Sequence, residues 1–479
     1  MIFPSHIFLL VLLPLALLAW YVPRRATTRL FFLNAASYIF YGWWDYRFAG
    51  LLLLTTAIDY FAGKKISQSP RARARRAWLV VSLTANLGIL GVFKYYDFFA
   101  ASLNSLLVSL GIGAPATLLH IVLPLGISFY TFQSMSYTID IYRDNVSPAA
   151  SFLTFSAYVS MFPQLVAGPI VRYVDINDQL RQVARKVVDF GKIADGIFLF
   201  AIGVIKKIWL ADKMAGLSAA VFDCGHGMDF WDTWVGALAY TLQLYFDFSG
   251  YSDMALGLGK VLGFEFRTNF NSPYKSQDIS EFWQRWHISM STWFRDYLFI
   301  PLGGSRGSSG QTMRNLFLTM FLVGLWHGAA WHFVAWGVYH GSLLALVAAW
   351  QKHSRFRLPA IVGAALTFLC VVIGWVLFRA SDLGTAKEMI VTLLGGNGMG
   401  SLPYVSSRFG VHLPGVLAHQ GGLPKLLLLG VGLGLVFLMK NSNDMRRPRS
   451  VAIAALLALT LFVTLVSLSE EIPFLYFQF

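Results

Sequence analysis

Apolar runs long enough to cross a bilayer recur along most of this chain, and short loops rich in arginine and lysine separate them. Runs of that length constrain the fold strongly. In hydrocarbon every backbone N–H and C=O must be satisfied within the protein, so only helices and closed barrels can span it. Here the runs are continuous rather than alternating, which selects helices. The pattern predicts spans at 6–23, 30–44, 48–63, 77–93, 120–141, 152–171, 192–210, 232–248, 315–335, 336–350, 358–377, 424–440 and 450–468. The expected fold class is therefore an all-α polytopic membrane protein with roughly 10 to 13 spans. The first run, "HIFLLVLLPLALLAWYVP" (His6–Pro23), is followed by no small-residue cleavage motif and is expected to remain as a span.

Charge agrees with this reading. Only 13% of the 479 residues are charged, against about a quarter in soluble proteins. The balance is 38 basic to 24 acidic, net +14. The excess sits in short loops: Arg24, Arg25 and Arg29; Lys64 to Arg76; Lys206 and Lys207; Lys352 to Arg357; Arg446 to Arg449. Such loops mark the cytoplasmic side of a membrane beside anionic lipid, and the distribution argues against a nucleic-acid partner. The same bookkeeping puts the N-terminus outside. Two cysteines, Cys224 and Cys370, give no disulfide framework. No internal repeat and no composition shift marks a second domain, so 1–479 is expected to be one integral membrane domain with its core at about 120–350.

One interval departs from the pattern. Residues 249–314 mix Trp, Tyr and Arg with polar residues and hold no clean span. "DISEFWQRWHISMSTWFRDYLFI" is too charged to span alone and too aromatic for a solvated loop. Irregular backbone at membrane depth is tolerated only where protein or a water-filled cavity covers it. Residues 278–300 are thus expected as helices half-buried against the bundle or re-entrant into it.

"GGSRG" (Gly303–Gly307) fits a nucleophile-elbow pattern, but that elbow needs a strand-to-helix turn, so a glycine-rich loop is the better reading. The glycines of "GVGLG" (Gly430–Gly434) suit close helix packing rather than a cofactor. His327, His332 and His340 raise the question of a metal. On a helix the first two lie roughly 140° apart, unlike an i, i+4 zinc pair, and no His-Glu-x-x-His occurs; no metal site is expected.

Two histidines remain, each preceded by a tryptophan: His287 in "QRWHIS" and His327 in "GLWHGA". An ionisable residue within the membrane is a functional-site hypothesis by default. Its bland counterpart is a neutral imidazole bridging two helices. Gly328 and Ala329 are expected to clear space beside the His327 ring. Arg285, Arg295 and Asp296 near His287 are expected to hold a polar cavity open. A neutral imidazole in such a cavity suits general-base work, because its pKa lies near ambient pH. Acyl transfer from a thioester to an alcohol needs such a base together with a group that steadies the oxyanion.

At these residues the chain resembles the membrane-bound O-acyltransferase family, in the bacterial branch that holds the alginate O-acetylase membrane subunit and the D-alanyl-teichoic-acid transfer protein. The resemblance covers nearly the whole chain. It is dense in "LPLGISFYTFQSMSYTIDIYR" (Leu123–Arg143), "MFPQLVAGPIVR" (Met161–Arg172), "LQLYFDFSGYSDMALGLG" (Leu242–Gly259), "NFNSPYKSQDISEFWQRWHISMSTWFRDYLFIPLGG" (Asn269–Gly304) and "RNLFLTMFLVGLWHGAAWHFVAWGVYHG" (Arg314–Gly341). It implies that His327 is the essential catalytic residue and His287 the second one. Many eukaryotic members carry Asn or Asp at the position of His287; histidine matches the bacterial branch. Trp326, Trp286, Arg285 and Asp296, beside those histidines, are the expected substrate contacts.

The resemblance further implies a helical bundle with re-entrant helices and a central tunnel, in the bacterial inner membrane. No bound cofactor is expected. Acetyl-CoA would be the acyl donor, entering from the cytoplasm. The acetyl group would pass toward an alginate-, cellulose- or peptidoglycan-type polymer through an exported SGNH-type acetyltransferase partner of the polysaccharide secretion machinery. The rival function is a proton-coupled transporter or export-channel component whose histidines relay protons. Transporters often show repeated halves, which this chain lacks.

Overall fold

The computed structural model describes residues 1–223, 228–354, 356, 358–399, 423–447, 458–464 and 474–475. Cys224 and most of the 450–468 run lie outside the described residues. Among the described residues every regular element is helical and none is a strand. The chain divides into two compact units: Met1–Ala201 with Ser252–Arg267 and Arg447–Pro473, and Ile202–Tyr251 with Thr268–Arg446 and Phe474–Phe479. Three described helices are long and apolar enough to cross a membrane, Ala72–Ser109, Trp331–His353 and Ala360–Arg379. Several other expected spans form helices that are shorter or carry buried polar residues.

In the first unit the helices Tyr46–Gln68, Ala72–Leu90 and Ile127–Tyr142 pack around a polar centre. Fully buried Asp59 accepts hydrogen bonds from Ser82 Oγ (2.6 Å) and Asn86 Nδ2 (2.9 Å), and Ser82 Oγ lies 2.9 Å from Thr138 Oγ1. A buried polar group is tolerated only with such partners. The outer side of the Ala72–Leu90 helix exposes Val80, Val81 and Leu87, an apolar face suited to lipid.

Two expected spans are corrected here. The 152–171 run is helical only over Phe152–Ser160; Met161–Arg172 then continues as irregular chain that is almost entirely buried. Pro163, Gly168 and Pro169 interrupt helical hydrogen bonding. Partners within the unit satisfy the irregular backbone: Tyr158 Oη donates to the carbonyls of Gln133 and Val171, and Gln164 Nε2 donates to Tyr158 O. The 120–141 span starts late, at Ile127, after Pro124 and a left-handed Gly126.

In the second unit the helix expected to end at 248 runs on, as Phe230–Val261, for 32 residues. The acidic residue that breaks the apolar pattern is paired inside the protein instead of facing lipid. Buried Lys207 lies 2.7 Å from Asp247 and 2.8 Å from Asp212, and Asp247 also accepts the N–H of Leu475. The 278–300 segment forms two seven-residue helices, Ile279–Arg285 and Ile288–Phe294, the second running on into a wider turn. At 1.5 Å per residue each is about 10 Å long, too short to cross a bilayer.

The element that positions the site is an antiparallel hairpin, Ser309–His327 and Trp331–His353. Its helices touch backbone to backbone. A Cβ on Gly337 would lie 2.6 Å from Met320 O and 3.1 Å from Gly324 Cα; one on Gly324 would lie 2.4 Å from Phe333 O. Small residues permit this approach, a common packing mode between membrane helices. The hairpin starts with a capping box, in which Ser308 Oγ accepts from Gln311 N and Gln311 Oε1 accepts from Ser308 N.

Candidate active site

His327 is the last residue of the first hairpin helix and is 6% exposed. Its ring is enclosed edge-on by three aromatic rings, Trp326 at 4.9 Å between centroids, Trp336 at 5.1 Å and Phe378 at 5.2 Å. Phe378 comes from the Ala360–Arg379 helix. The imidazole therefore sits in apolar surroundings between two turns of one hairpin and a third helix.

His287 occupies the turn between the two short helices and is fully buried. Its backbone is left-handed, φ +44° and ψ +53°, a conformation that non-glycine residues adopt at a cost and that clusters at functional sites. Asn269 holds the ring. Its Oδ1 lies 3.2 Å from His287 Nδ1 and also accepts the backbone N–H of Ser289 (3.1 Å) and the Ser289 hydroxyl (2.8 Å). A backbone N–H can only donate, so the Asn269 atom is the amide oxygen, and Nδ1 of His287 carries a proton. In the neutral imidazole Nε2 is then the accepting nitrogen. Phe248 packs against the ring at 4.7 Å.

Trp326 joins the two histidines. Its centroid lies 6.1 Å from that of His287 and 4.9 Å from that of His327. Residues 40 apart in sequence are thus brought against one indole. The other expected contacts take separate places. Trp286 is buried among Tyr245, Phe270, Phe282 and Trp375, the last at 4.9 Å. Arg285 pairs with Glu281 (2.7 Å), and Arg295 with Asp296 (2.7 Å) on a more exposed side.

One expectation about the site is overturned. Gly328 does not clear space for a substrate. A Cβ there would lie 2.0 Å from Phe333 Cε2, so the Phe333 ring already fills the place beside it. The glycine serves packing of the hairpin turn. The glycine-rich Gly303–Gly307 loop is a turn in which Gly303 and Gly304 have positive φ, fastened by Asn315 Nδ2 to the carbonyls of Leu302 and Gly304. His340 and Trp336, absent from the expected site residues, are neighbours of the site. His340 is fully buried one helical turn beyond Trp336, whose ring lies 5.1 Å from His327 and 4.8 Å from His340. Their i, i+4 spacing is the signal in the sequence that places them on one face of the helix.

The model of the membrane-bound O-acyltransferase family matches residues 142–381, which contain both histidines and the whole hairpin. The alginate O-acetylase of Pseudomonas aeruginosa, named as probable, is 47% identical over 390 residues, covering 81% of this chain and 74% of that protein. The chain belongs to this family. A peptidoglycan O-acetyltransferase of Helicobacter pylori is 34% identical over 100% of this chain and 98% of its own length. A teichoic acid D-alanyltransferase of Streptococcus thermophilus is 29% identical over 48% of this chain and 58% of its own. A membrane-bound O-acyltransferase is an enzyme, and that separates this chain from the transporter alternative. Its apolar helices are those of a membrane protein.

Proposed function

We propose that this O-acetyltransferase moves an acetyl group from a cytoplasmic thioester, acetyl-CoA, toward an exported polysaccharide, with His327 as general base and His287 assisting. Relatives named for alginate and for peptidoglycan point to the polymer class. The chain would lie in the bacterial inner membrane as a multi-pass protein, its basic loops in the cytoplasm and its site in a tunnel through the bundle. An exported SGNH-type partner would carry the group to the sugar. The single observation that carries the reading is the packing of both His287 and His327 against Trp326.

The chemistry follows from the side chains. The hydroxyl oxygen of the acceptor bonds to the acyl carbon and the carbon–sulfur bond breaks. The hydroxyl proton passes to His327 and then to the departing sulfur, which leaves as a thiol. The rings of Trp326, Trp336 and Phe378 surround the imidazole that takes that proton and keep bulk water from it. In the tautomer that Asn269 fixes, Nε2 of His287 accepts hydrogen bonds. It suits holding a hydroxyl or water beside the acceptor better than donating to an oxyanion. The indole N–H of Trp326 is a donor only and supplies the kind of group an oxyanion needs.

The test uses purified protein in detergent with acetyl-labelled acetyl-CoA. Wild type should release or transfer the label, His327→Ala should not, and His287→Ala should be strongly slowed while both variants stay monodisperse. Turnover by His327→Ala at the wild-type rate would refute the assignment. Adding alginate or peptidoglycan fragments with membranes that hold the native partner then identifies the polymer.

A further inference from the structure

A cleft within the second unit takes no part in the mechanism above. It encloses about 150 Å³ between the Lys206–Ala211 turn, the 32-residue helix and the Leu423–Leu438 helix. Ile202, Ile205, Phe246, Leu435 and Val436 supply apolar wall. Lys206, Lys440 and Ser442 supply the polar end, and among the described residues lining the cleft there is no carboxylate. Two basic stretches more than 200 residues apart in sequence, both expected on the cytoplasmic side, thus meet at one opening.

The basic end is built. Lys206 Nζ donates to Ser442 Oγ (3.1 Å) and lies 5.8 Å from the centre of the Tyr245 ring. Lys207, next in sequence, goes the other way, into the buried pairs with Asp212 and Asp247. The wider helical turn that begins at Lys206 separates the two ammonium groups, and turns of this kind occur frequently at functional sites. Lys275 Nζ donates to Met439 O (2.7 Å) at the C-terminal end of the Leu423–Leu438 helix. That contact complements the helix dipole and accounts for Lys275. It leaves Lys206 and Lys440 as the two ammonium groups that line the cleft.

The surroundings say what chemistry fits. Apolar wall with cationic groups at one end matches a ligand with a negative head and a hydrocarbon tail. Basic pockets between membrane helices on the cytoplasmic side hold anionic lipid head groups in this way. The helices that form the cleft also expose Trp209, Leu427, Val431 and Leu438, side chains suited to hydrocarbon or its interface. A nucleotide fits poorly, because pockets that enclose a molecule of drug size begin at about 300 Å³. The first methylenes of an acyl chain need far less. We propose that the cleft binds an anionic phospholipid of the cytoplasmic leaflet. Its phosphate accepts from Lys206 and Lys440, and the start of one acyl chain lies against Ile205 and Leu435. The site rests on the membrane placement proposed above and is independent of the acyl-transfer chemistry.

The test titrates the full chain in detergent with phosphatidylglycerol and with phosphatidylcholine of the same chain length, counting bound lipid by native mass spectrometry. Wild type should bind its first phosphatidylglycerol about 30-fold more tightly than phosphatidylcholine, the worth of two lysines near a membrane surface. Lys206→Gln combined with Lys440→Gln should bring that ratio close to one, and Lys440→Arg should keep it. Leu435→Trp fills the apolar end and should weaken phosphatidylglycerol with both lysines intact. No preference in wild type, or the full preference in the double variant, overturns the site. Displacement of phosphatidylglycerol by coenzyme A or by inorganic phosphate assigns the lysines to a soluble phosphate and overturns it as well. Should the double variant fail to fold, Lys440→Gln alone, at an exposed position, must lower the ratio about fivefold.

Discussion

Gly337→Ala tests whether hairpin geometry, and not only the identity of the histidines, sets the rate. The new methyl would sit 2.6 Å from Met320 O and 3.1 Å from Gly324 Cα. That falls short of ordinary van der Waals contact by roughly 1 Å, and the opposing atoms are backbone, which cannot rotate away. The helices must part by about that distance. His327 lies three residues beyond Gly324 on one helix, and Trp336 adjoins Gly337 on the other. A displacement of about 1 Å at a reacting group slows chemistry about 100-fold. Overpacking destabilises by roughly 1–3 kcal/mol, which leaves the protein folded. The assay is kcat for acetyl release, normalised to the monodisperse peak of a sizing column, alongside thermal melting in the same detergent. A variant that melts a few degrees lower yet turns over at the wild-type rate would refute the argument.

Other outcomes follow from the described contacts. Asn269→Leu removes the acceptor that fixes the His287 tautomer and should lower kcat at least about 100-fold, whereas Asn269→Asp, which keeps an acceptor, should lose less; the ratio of the two rates is the readout. Lys207→Met leaves Asp212 and Asp247 buried without their cation, a loss of about 3–5 kcal/mol, read as a melting point about 10 °C lower. Asp382 caps the Leu383–Leu393 helix, and the hydrogen bonds from the Thr385 N–H and hydroxyl and from Ser381 hold its carboxyl down to about 2. A depressed carboxyl contributes stability near neutrality that is lost as pH falls through its folded value. The melting-point gap between wild type and Asp382→Ala should therefore narrow steadily from pH 5 toward pH 2.

Much of this was legible in the sequence, and the limits have physical causes. The run lengths announced helices, and the two histidines of the "WH" motifs do come together against one indole. Span ends were misplaced where apolarity and helicity part company. Asp247 looked like a terminus because no sequence pattern shows that Lys207, 40 residues upstream, neutralises it. Met161–Arg172 looked like a span because buried irregular chain is as apolar as a helix. Gly328 was read as room for substrate, when only the fold shows Phe333 in that room. Asn269 went unnoticed for the same reason. Its role lies in one oxygen shared by three donors, and two of those come from Ser289, twenty residues away.

The left-handed backbone at His287 bears on how this position can vary. Steric exclusion at φ +44° removes most side chains before any chemistry is asked of them. Among non-glycine residues, Asn, Asp and His are enriched several-fold in this region. A replacement that keeps a polar group at this position is therefore drawn from the short set that the turn admits. A basic residue such as lysine would be refused there by conformation rather than by reactivity.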